Sequence, residues 1–264
     1  MSIADKLTTI AENMQGVYDK GYSDGQSQGS NTEEAYNEGF EAGKKSKYDE
    51  FWDNYQDNGL KEHYSYAFAQ WNKNTFQPKY DIKPTMASYM FYGFNQNRSV
   101  ESLPELLKNN NVNMDFSKCT GFMYFGSYSY ISDFGFIDCS GTTNLNHMFN
   151  MAKQLETVSL KLKDDGSQSF NNTFDACTRL ADITIEGVIG KNISFSACAS
   201  LSKSSIISII NALHITTSGV TVIFKKTAIN NAFGIDIDDE STYPEGSEYY
   251  NLRNSKSNWT FNYV

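Results

Sequence analysis

The stretch Phe174-Asp175-Ala176-Cys177-Thr178-Arg179-Leu180-Ala181-Asp182-Ile183-Thr184-Ile185 carries the pattern that decides the fold. Its skeleton is a Phe followed by apolar residues six, nine and eleven positions later. The last two, Ile183 and Ile185, alternate with polar residues, as in a short strand with one buried face. The stretch therefore predicts one turn of chain that ends in a strand.

The same skeleton recurs on both sides of this stretch. Complete matches are Phe125, Ile131, Phe134 and Phe136, and then Phe149, Leu155, Val158 and Leu160; Phe195, Leu201 and Ile206 match with a miss at Ser204. The anchor Phe residues at 125, 149, 174 and 195 lie 24, 25 and 21 positions apart. Periods of this length are typical of stacked solenoid coils. Chance recurrence in a Phe-rich chain is the alternative.

The third residue after three of the four anchors, Phe149, Phe174 and Phe195, supports close stacking of these coils. This residue is Ala152, Cys177 or Cys198, and all three are small. The four cysteines form no CxxC pair and have no His at metal-ligand spacing, so we expect them to pack in the core rather than to bind zinc.

Residues 1–45 are expected to form a helical, coiled-coil-like stalk. Apolar residues spaced 4-3-4-3 predict a heptad seam, formed by Ile3, Leu7, Ile10, Met14 and Val17. We interpret this seam as an oligomerisation or attachment site, with a homotrimer as our estimate of the assembly. A helix docked on its own domain is the alternative.

Three further regions complete the expected α+β organisation. Residues 46–95 read as an aromatic connector and solenoid N-cap, although an aromatic ligand platform, for example for sugars, is an alternative. Residues 96–200 are the repeats. Residues 201–264 predict an α/β C-cap with helices near 201–213, 226–234 and 246–255, a strand at 220–224 and a last strand near 259–261.

Composition and charge exclude several classes of function. The chain of 264 residues has a formal net charge of −9, and residues 1–60 hold 12 acidic and only 5 basic residues. No basic stripe is present, so nucleic-acid binding is not expected. No apolar run approaches the length that spans a bilayer, and residues 1–25 lack the pattern of a secretory signal.

The candidate binding residues are few. The run Gly126-Ser127-Tyr128-Ser129-Tyr130 combines rigid aromatics with small polar residues, which suits recognition surfaces, so Tyr128 and Tyr130 are candidate contact residues; ordinary repeat positions are the alternative. Carboxylates that offer oxygen ligands for Ca²⁺ cluster at Asp236, Asp238, Asp239 and Glu240, but an EF-hand count fails after Glu240. We predict no metal, no cofactor and no catalytic residue.

The repeats around Phe149 and Phe174 resemble BspA-like leucine-rich repeats over about residues 85–225. The opening Ile3–Asn13 and the run Tyr48-Asp49-Glu50-Phe51-Trp52 look like phage and prophage proteins of Gram-positive bacteria, which place a short helical attachment segment before a repeat or fibre module. The resemblance implies a non-enzymatic phage tail or baseplate protein that contacts other tail proteins and a host-surface glycan or protein. It would be made in the host cytoplasm and carried on the virion.

Two other functions stay open at this point. The first is a bacterial cell-surface adhesin with BspA-like repeats. The second, less favoured, is a glycan-degrading enzyme, because no carboxylate pair, P-loop, HExxH or GxSxG pattern stands in a convincing context.

Overall fold

The computed structural model describes residues 68–69, 71–74, 76–78, 81–95 and 100–264. The predicted stalk, residues 1–45, lies outside these residues. The chain divides into a unit Met1–Leu60 and a unit Lys61–Val264, and every described residue belongs to the second unit.

The described residues form an α+β fold with two parallel sheets. The strands are β1 (Glu101–Ser102), β2 (Ile131–Asp138), β3 (Thr157–Lys161), β4 (Asp182–Glu186), β5 (Ile193–Phe195), β6 (Val220–Phe224) and β7 (Trp259–Tyr263). The helices are α1 (Leu103–Asn109), α2 (Lys203–Ala212), α3 (Lys226–Phe233) and α4 (Glu248–Asn254), with a 3-10 turn at Glu240–Thr242. The five elements predicted within residues 201–264 are thereby confirmed, with bounds that differ by a few residues.

Within each sheet, every strand pairs in parallel with the next strand along the chain, and β4 and β5 do not pair. The sheet order is β1-β2-β3-β4 in the first sheet and β5-β6-β7 in the second. In β3 and β4, Val158 lies level with Ile183 and Leu160 level with Ile185, and Val158, Leu160 and Ile183 are buried. The predicted inward alternation is therefore confirmed in β3, whereas in β4 Ile183 is buried and Ile185 is half-buried.

The turns opposite the first sheet are stacked as well. Backbone bonds join Phe91 N to Phe125 O (2.8 Å), Gly126 N to Met148 O (2.8 Å) and Phe149 N to Thr173 O (3.0 Å). We refer to each strand with its preceding turn as a repeat. Consecutive repeats are thus tied by backbone hydrogen bonds along both walls.

A column of buried Phe rings runs through the repeats. Ring centroids are 5.9 Å apart for Phe149 and Phe174, 4.9 Å for Phe174 and Phe195, and 5.9 Å for Phe195 and Phe224, and all three pairs are stacked. Phe224 of β6 extends the column beyond the anchors predicted from sequence. Offset stacking of aromatic rings adds to the gain from their burial.

The anchor predicted at Phe125 is wrong by one residue. Because Gly126 N donates to Met148 O, Gly126 rather than Phe125 lies level with Phe149. A Cβ at Gly126 would lie 2.5 Å from the Phe134 ring. Phe134 therefore fills the place of an anchor side chain at this level, and Phe125 packs edge-on to Phe149 instead.

The strand position predicted at Phe136 is also wrong. The pairing of β2 with β3 shifts between Asp133 and Phe136, so Ile137 lies level with Leu160. Gly135 adopts φ +65° at this bulge, a conformation that glycine tolerates without strain. Ile137 is consequently buried and Phe136 is 58% exposed.

Side chains from the flanking segments cover both ends of the repeats. Before them, Phe68 and Phe76 are fully buried, and Phe76 packs edge-on to Phe94 at 5.7 Å. After them, helix α2 lies along β4: Ile183 N donates to Ser205 Oγ and Ile185 N to Ser208 Oγ, both at 2.9 Å. The helix hydroxyls therefore occupy the hydrogen-bonding positions of a further strand.

Candidate recognition surface

Two columns of residues with left-handed backbone run along the stacked turns. The first contains Tyr89, Tyr124, His147 and Asn172, with φ between 53° and 59°, and the second contains Gly93, Tyr128, Met151 and Ala176, with φ between 58° and 62°. In every turn the two positions are four residues apart. The geometry of these four turns thus requires two left-handed residues in each turn.

Tyrosine is an unusual choice for these positions, whereas histidine is enriched there among the non-glycine residues. A left-handed backbone costs an L-residue about 1–2 kcal/mol, and glycine or asparagine adopts it at lower cost. Only Gly93 and Asn172 follow that preference. The tyrosines, Met151 and Ala176 adopt this conformation against local preference, because the turn geometry requires it.

The rings of these turns stack on one another. Tyr124 lies between Tyr89 and His147, with centroids 4.8 and 4.6 Å apart and planes inclined by only 17° and 7°. Tyr92 lies 5.8 Å from Tyr89 and 5.5 Å from Tyr128. We call these five side chains the aromatic ridge. Tyr128 is 42% exposed, and the other four are partly exposed.

Polar side chains border the aromatic ridge in the following repeats. Backbone bonds place Ser127, Asn150 and Asp175 level with one another between the two columns. Asn150 Nδ2 donates to Asp175 Oδ2 at 3.2 Å, and the buried Ser127 donates its hydroxyl to Asn150 O at 2.6 Å. Asn150 is half-buried and Asp175 is exposed.

The surface is nearly uncharged. The four turns, residues 87–94, 122–129, 145–152 and 170–177, contain no Lys or Arg and only one carboxylate, Asp175. Flat aromatic rings beside amide and carboxylate groups offer both apolar contact and hydrogen bonding. This arrangement suits the recognition of an uncharged, amphipathic ligand.

The two tyrosines predicted as contact residues differ in position and exposure. Tyr128 belongs to the aromatic ridge, whereas Tyr130 is half-buried just before β2, and its backbone N–H donates to Phe94 O at 2.9 Å. Sequence reasoning placed His147 at the surface or at an edge, but it did not identify His147 or Tyr124 as part of a recognition site. Both residues occupy the same turn position as Tyr89. This equivalence could identify them, but it becomes visible only when the turns are aligned by their left-handed positions. The predicted stalk seam lies outside the described residues.

Carboxylates of the acidic cluster at residues 236–240 are engaged by neighbouring side chains and backbone groups. Lys226 Nζ contacts both carboxylate oxygens of Asp238, at 2.8 and 2.7 Å, and Asp239 accepts bonds from the amide and hydroxyl of Ser241. Within residues 68–95 and 100–264, as far as they are described, no group of three His, Cys, Asp or Glu is placed to hold a metal ion.

The cysteine thiols are buried and unpaired in disulfides. Burial raises the pKa of Cys119 to about 11 and that of Cys198 to about 12, and also raises the pKa of Cys139 and Cys177. Since the thiolate is the nucleophilic form, these residues have the properties of core packing groups.

Comparisons with known proteins matched no family model, no curated protein and no solved structure. Of the helices that the structure describes, none combines the length and apolar character needed to cross a bilayer.

Proposed function

We propose that this chain is a non-enzymatic recognition protein of a bacteriophage particle, a tail or baseplate component that presents the aromatic ridge to a host-surface glycan or protein. The observation that carries the recognition role is the ridge itself. Three of its rings, Tyr89, Tyr124 and His147, stack in register although each stands on a left-handed backbone position.

In this proposal the repeats form a short leucine-rich-repeat-like solenoid. Parallel pairing of successive strands, the column of Phe rings and the backbone bonds along both walls support that architecture, because each repeat contacts mainly its neighbours. The buried Phe68 and Phe76 on one side, and α2 on the other, would serve as the caps that a solenoid needs at its open ends.

Attachment to the particle is assigned to residues 1–45. The support is the 4-3-4-3 seam from Ile3 to Val17 and the resemblance of the opening to phage proteins. A homo-oligomer, with three copies as our estimate, would present several ridges to one surface. Such multivalent display raises the avidity of weak single sites through effective concentration.

The test of the assembly is the mass in solution of the full-length chain and two double variants. Leu7→Asp with Ile10→Asp places charges in the seam, whereas Thr8→Asp with Thr9→Asp adds the same charges outside it. We expect a defined oligomer for the parent and for the Thr variant, and a monomer for the seam variant. A monomeric parent chain would refute homo-oligomeric attachment.

The cell-surface adhesin remains the second candidate, because an exposed ridge serves either location. Labelling with an antibody against the chain separates the two candidates. If the chain is a virion protein, particles purified after lysis would be labelled. If it is an adhesin, intact bacterial cells would be labelled.

A further inference from the structure

We propose that the aromatic ridge binds a neutral or N-acetylated glycan. This inference rests on the recognition function proposed above and narrows its ligand to one chemical class. The contacts would come from Tyr92, Tyr128 and the neighbouring stacked rings, with hydrogen bonds from Asn150 and Asp175.

Ring chemistry is the first argument for a glycan. A pyranose has apolar C–H groups on its ring faces and hydroxyl groups at its rim, so it needs an aromatic surface with hydrogen-bonding groups beside it. Tyrosine combines an apolar ring with a polar hydroxyl. Tyr128 is 42% exposed and lies 5.5 Å from Tyr92, and Asn150 and Asp175 lie in the adjacent repeats, joined by a bond of 3.2 Å.

Charge is the second argument. A nucleic acid or another polyanion gains its affinity from lysine and arginine, and the four turns that form the surface contain neither. Their one carboxylate, Asp175, would repel a polyanion but accepts hydrogen bonds from sugar hydroxyls or acetamido N–H groups. The electrostatics therefore favour an uncharged ligand.

Backbone conformation supplies the test of the glycan assignment. Tyr128 has φ +58°, and Met151 and Ala176 occupy the same column with φ 61° and 58°. Glycine adopts this conformation without strain, so Tyr128→Gly removes a ring while it preserves the turn. Ala176→Gly makes the same backbone change two repeats away and removes only a methyl group, which makes it the matched control.

The experiment measures retention of the labelled full-length protein on an array of neutral, N-acetylated and sulfated bacterial-type oligosaccharides. We expect retention on neutral or N-acetylated members, reduced about tenfold by Tyr128→Gly, since one aromatic contact contributes energy of that order. Ala176→Gly should be retained like the parent. Circular dichroism of both variants checks that the fold is intact.

Three outcomes would overturn the inference: no retention of the parent chain on neutral or N-acetylated members, equal retention of the parent and Tyr128→Gly, or preference for the sulfated members. A parallel array of bacterial surface proteins identifies a protein ligand, in which case recognition stands and the glycan assignment falls. Retention of the seam variant with Leu7→Asp and Ile10→Asp on the glycans would uphold the inference even where the particle attachment fails.

Discussion

Four aspartates make the same local bond to a serine two residues later. Asp138 accepts bonds from the Ser140 amide at 3.0 Å and hydroxyl at 2.5 Å, and the motif recurs at Asp115, Asp165 and Asp239. Burial raises the pKa of Asp138, but the Ser140 bonds and Lys161 outweigh it, so this pKa lies below its ordinary value of 3.8. These Asp-x-Ser turns therefore favour the ionised carboxylate.

This geometry predicts a loss of stability in acid. Because folding lowers the pKa of Asp138, the unfolded chain binds more protons than the folded chain at low pH. The ionised carboxylate therefore stabilises the fold fully above the unfolded pKa. This stabilisation is lost as the pH falls through the folded pKa. We expect Asp138→Asn to lower the free energy of unfolding by about 1 kcal/mol near neutral pH, with a shallower decline between about pH 5 and pH 3. Urea unfolding at a series of pH values from about pH 7 down to about pH 3 measures both effects.

The matched control for this experiment is Glu186→Gln. Glu186 lies in the same cross-strand row, two strands away from Asp138, and its side chain is exposed. The stability of this variant should follow that of the parent at each pH. An unchanged acid slope in Asp138→Asn would contradict the assignment.

The first sheet ends at helix α2, which covers the edge of β4. Its Ser205 and Ser208 accept the bonds that a fifth strand would accept from β4, and Ser205 Oγ also donates to Ala181 O at 2.9 Å. The edge of β4 is thereby covered, as edges that would otherwise pair with other chains commonly are. The sequence skeleton fails at Ser204 for this reason: the chain has changed from strand to helix.

Loss of the Ser205 hydroxyl should weaken the fold more than loss of its neighbour. Ser205→Ala leaves the buried N–H of Ile183 without its acceptor, which we expect to cost about 1–3 kcal/mol. Ser204 is exposed, so Ser204→Ala should change stability by less than about 0.5 kcal/mol. Chemical denaturation of both variants makes the comparison, and equal losses would show that the edge is not held by this hydroxyl.

Sequence periodicity predicted the strands and helices better than it predicted the aromatic ridge. Alternation and helical spacing identified β3, β4, β6 and α2 because each depends on the burial of local apolar residues. The bulge at Gly135 was missed, since one inserted residue changes which side chain faces inward without changing composition. Tyr128 was identified from its polar neighbours, but the stack of Tyr89, Tyr124 and His147 depends on left-handed positions at which propensity predicts glycine or asparagine.

The hydrophobic interior is continuous from the first repeat to the second sheet. Aromatic contacts link Phe91 to Phe125 and Phe134, Phe134 to Phe149, and Phe149 through the Phe column to Phe224. All four cysteines are buried as well. The whole set of repeats is therefore expected to open as one cooperative unit.

Thiol labelling measures that cooperativity. We expect the four cysteines of the parent chain to resist a maleimide at about pH 7, because thiolate is scarce and access is blocked. All four should become reactive over one urea range, together with the loss of circular dichroism. An added Ser204→Cys thiol, on an exposed position of α2, should react at once and serves as the positive control. Early labelling of one native cysteine would instead reveal a repeat that opens alone.

Pairing of each strand only with its neighbours along the chain has a consequence for how such a protein changes over generations. An internal gene duplication of about 24 codons between β2 and β4 would insert one more strand and one more turn, with the covered edge at α2 and the aromatic segment at the other end left as they are. Duplication of this unit would lengthen the row of stacked turns by one turn, and deletion would shorten it by one. The length of the aromatic ridge can thus change by one repeat at a time, whereas the residue type at each ring position can change by point mutation.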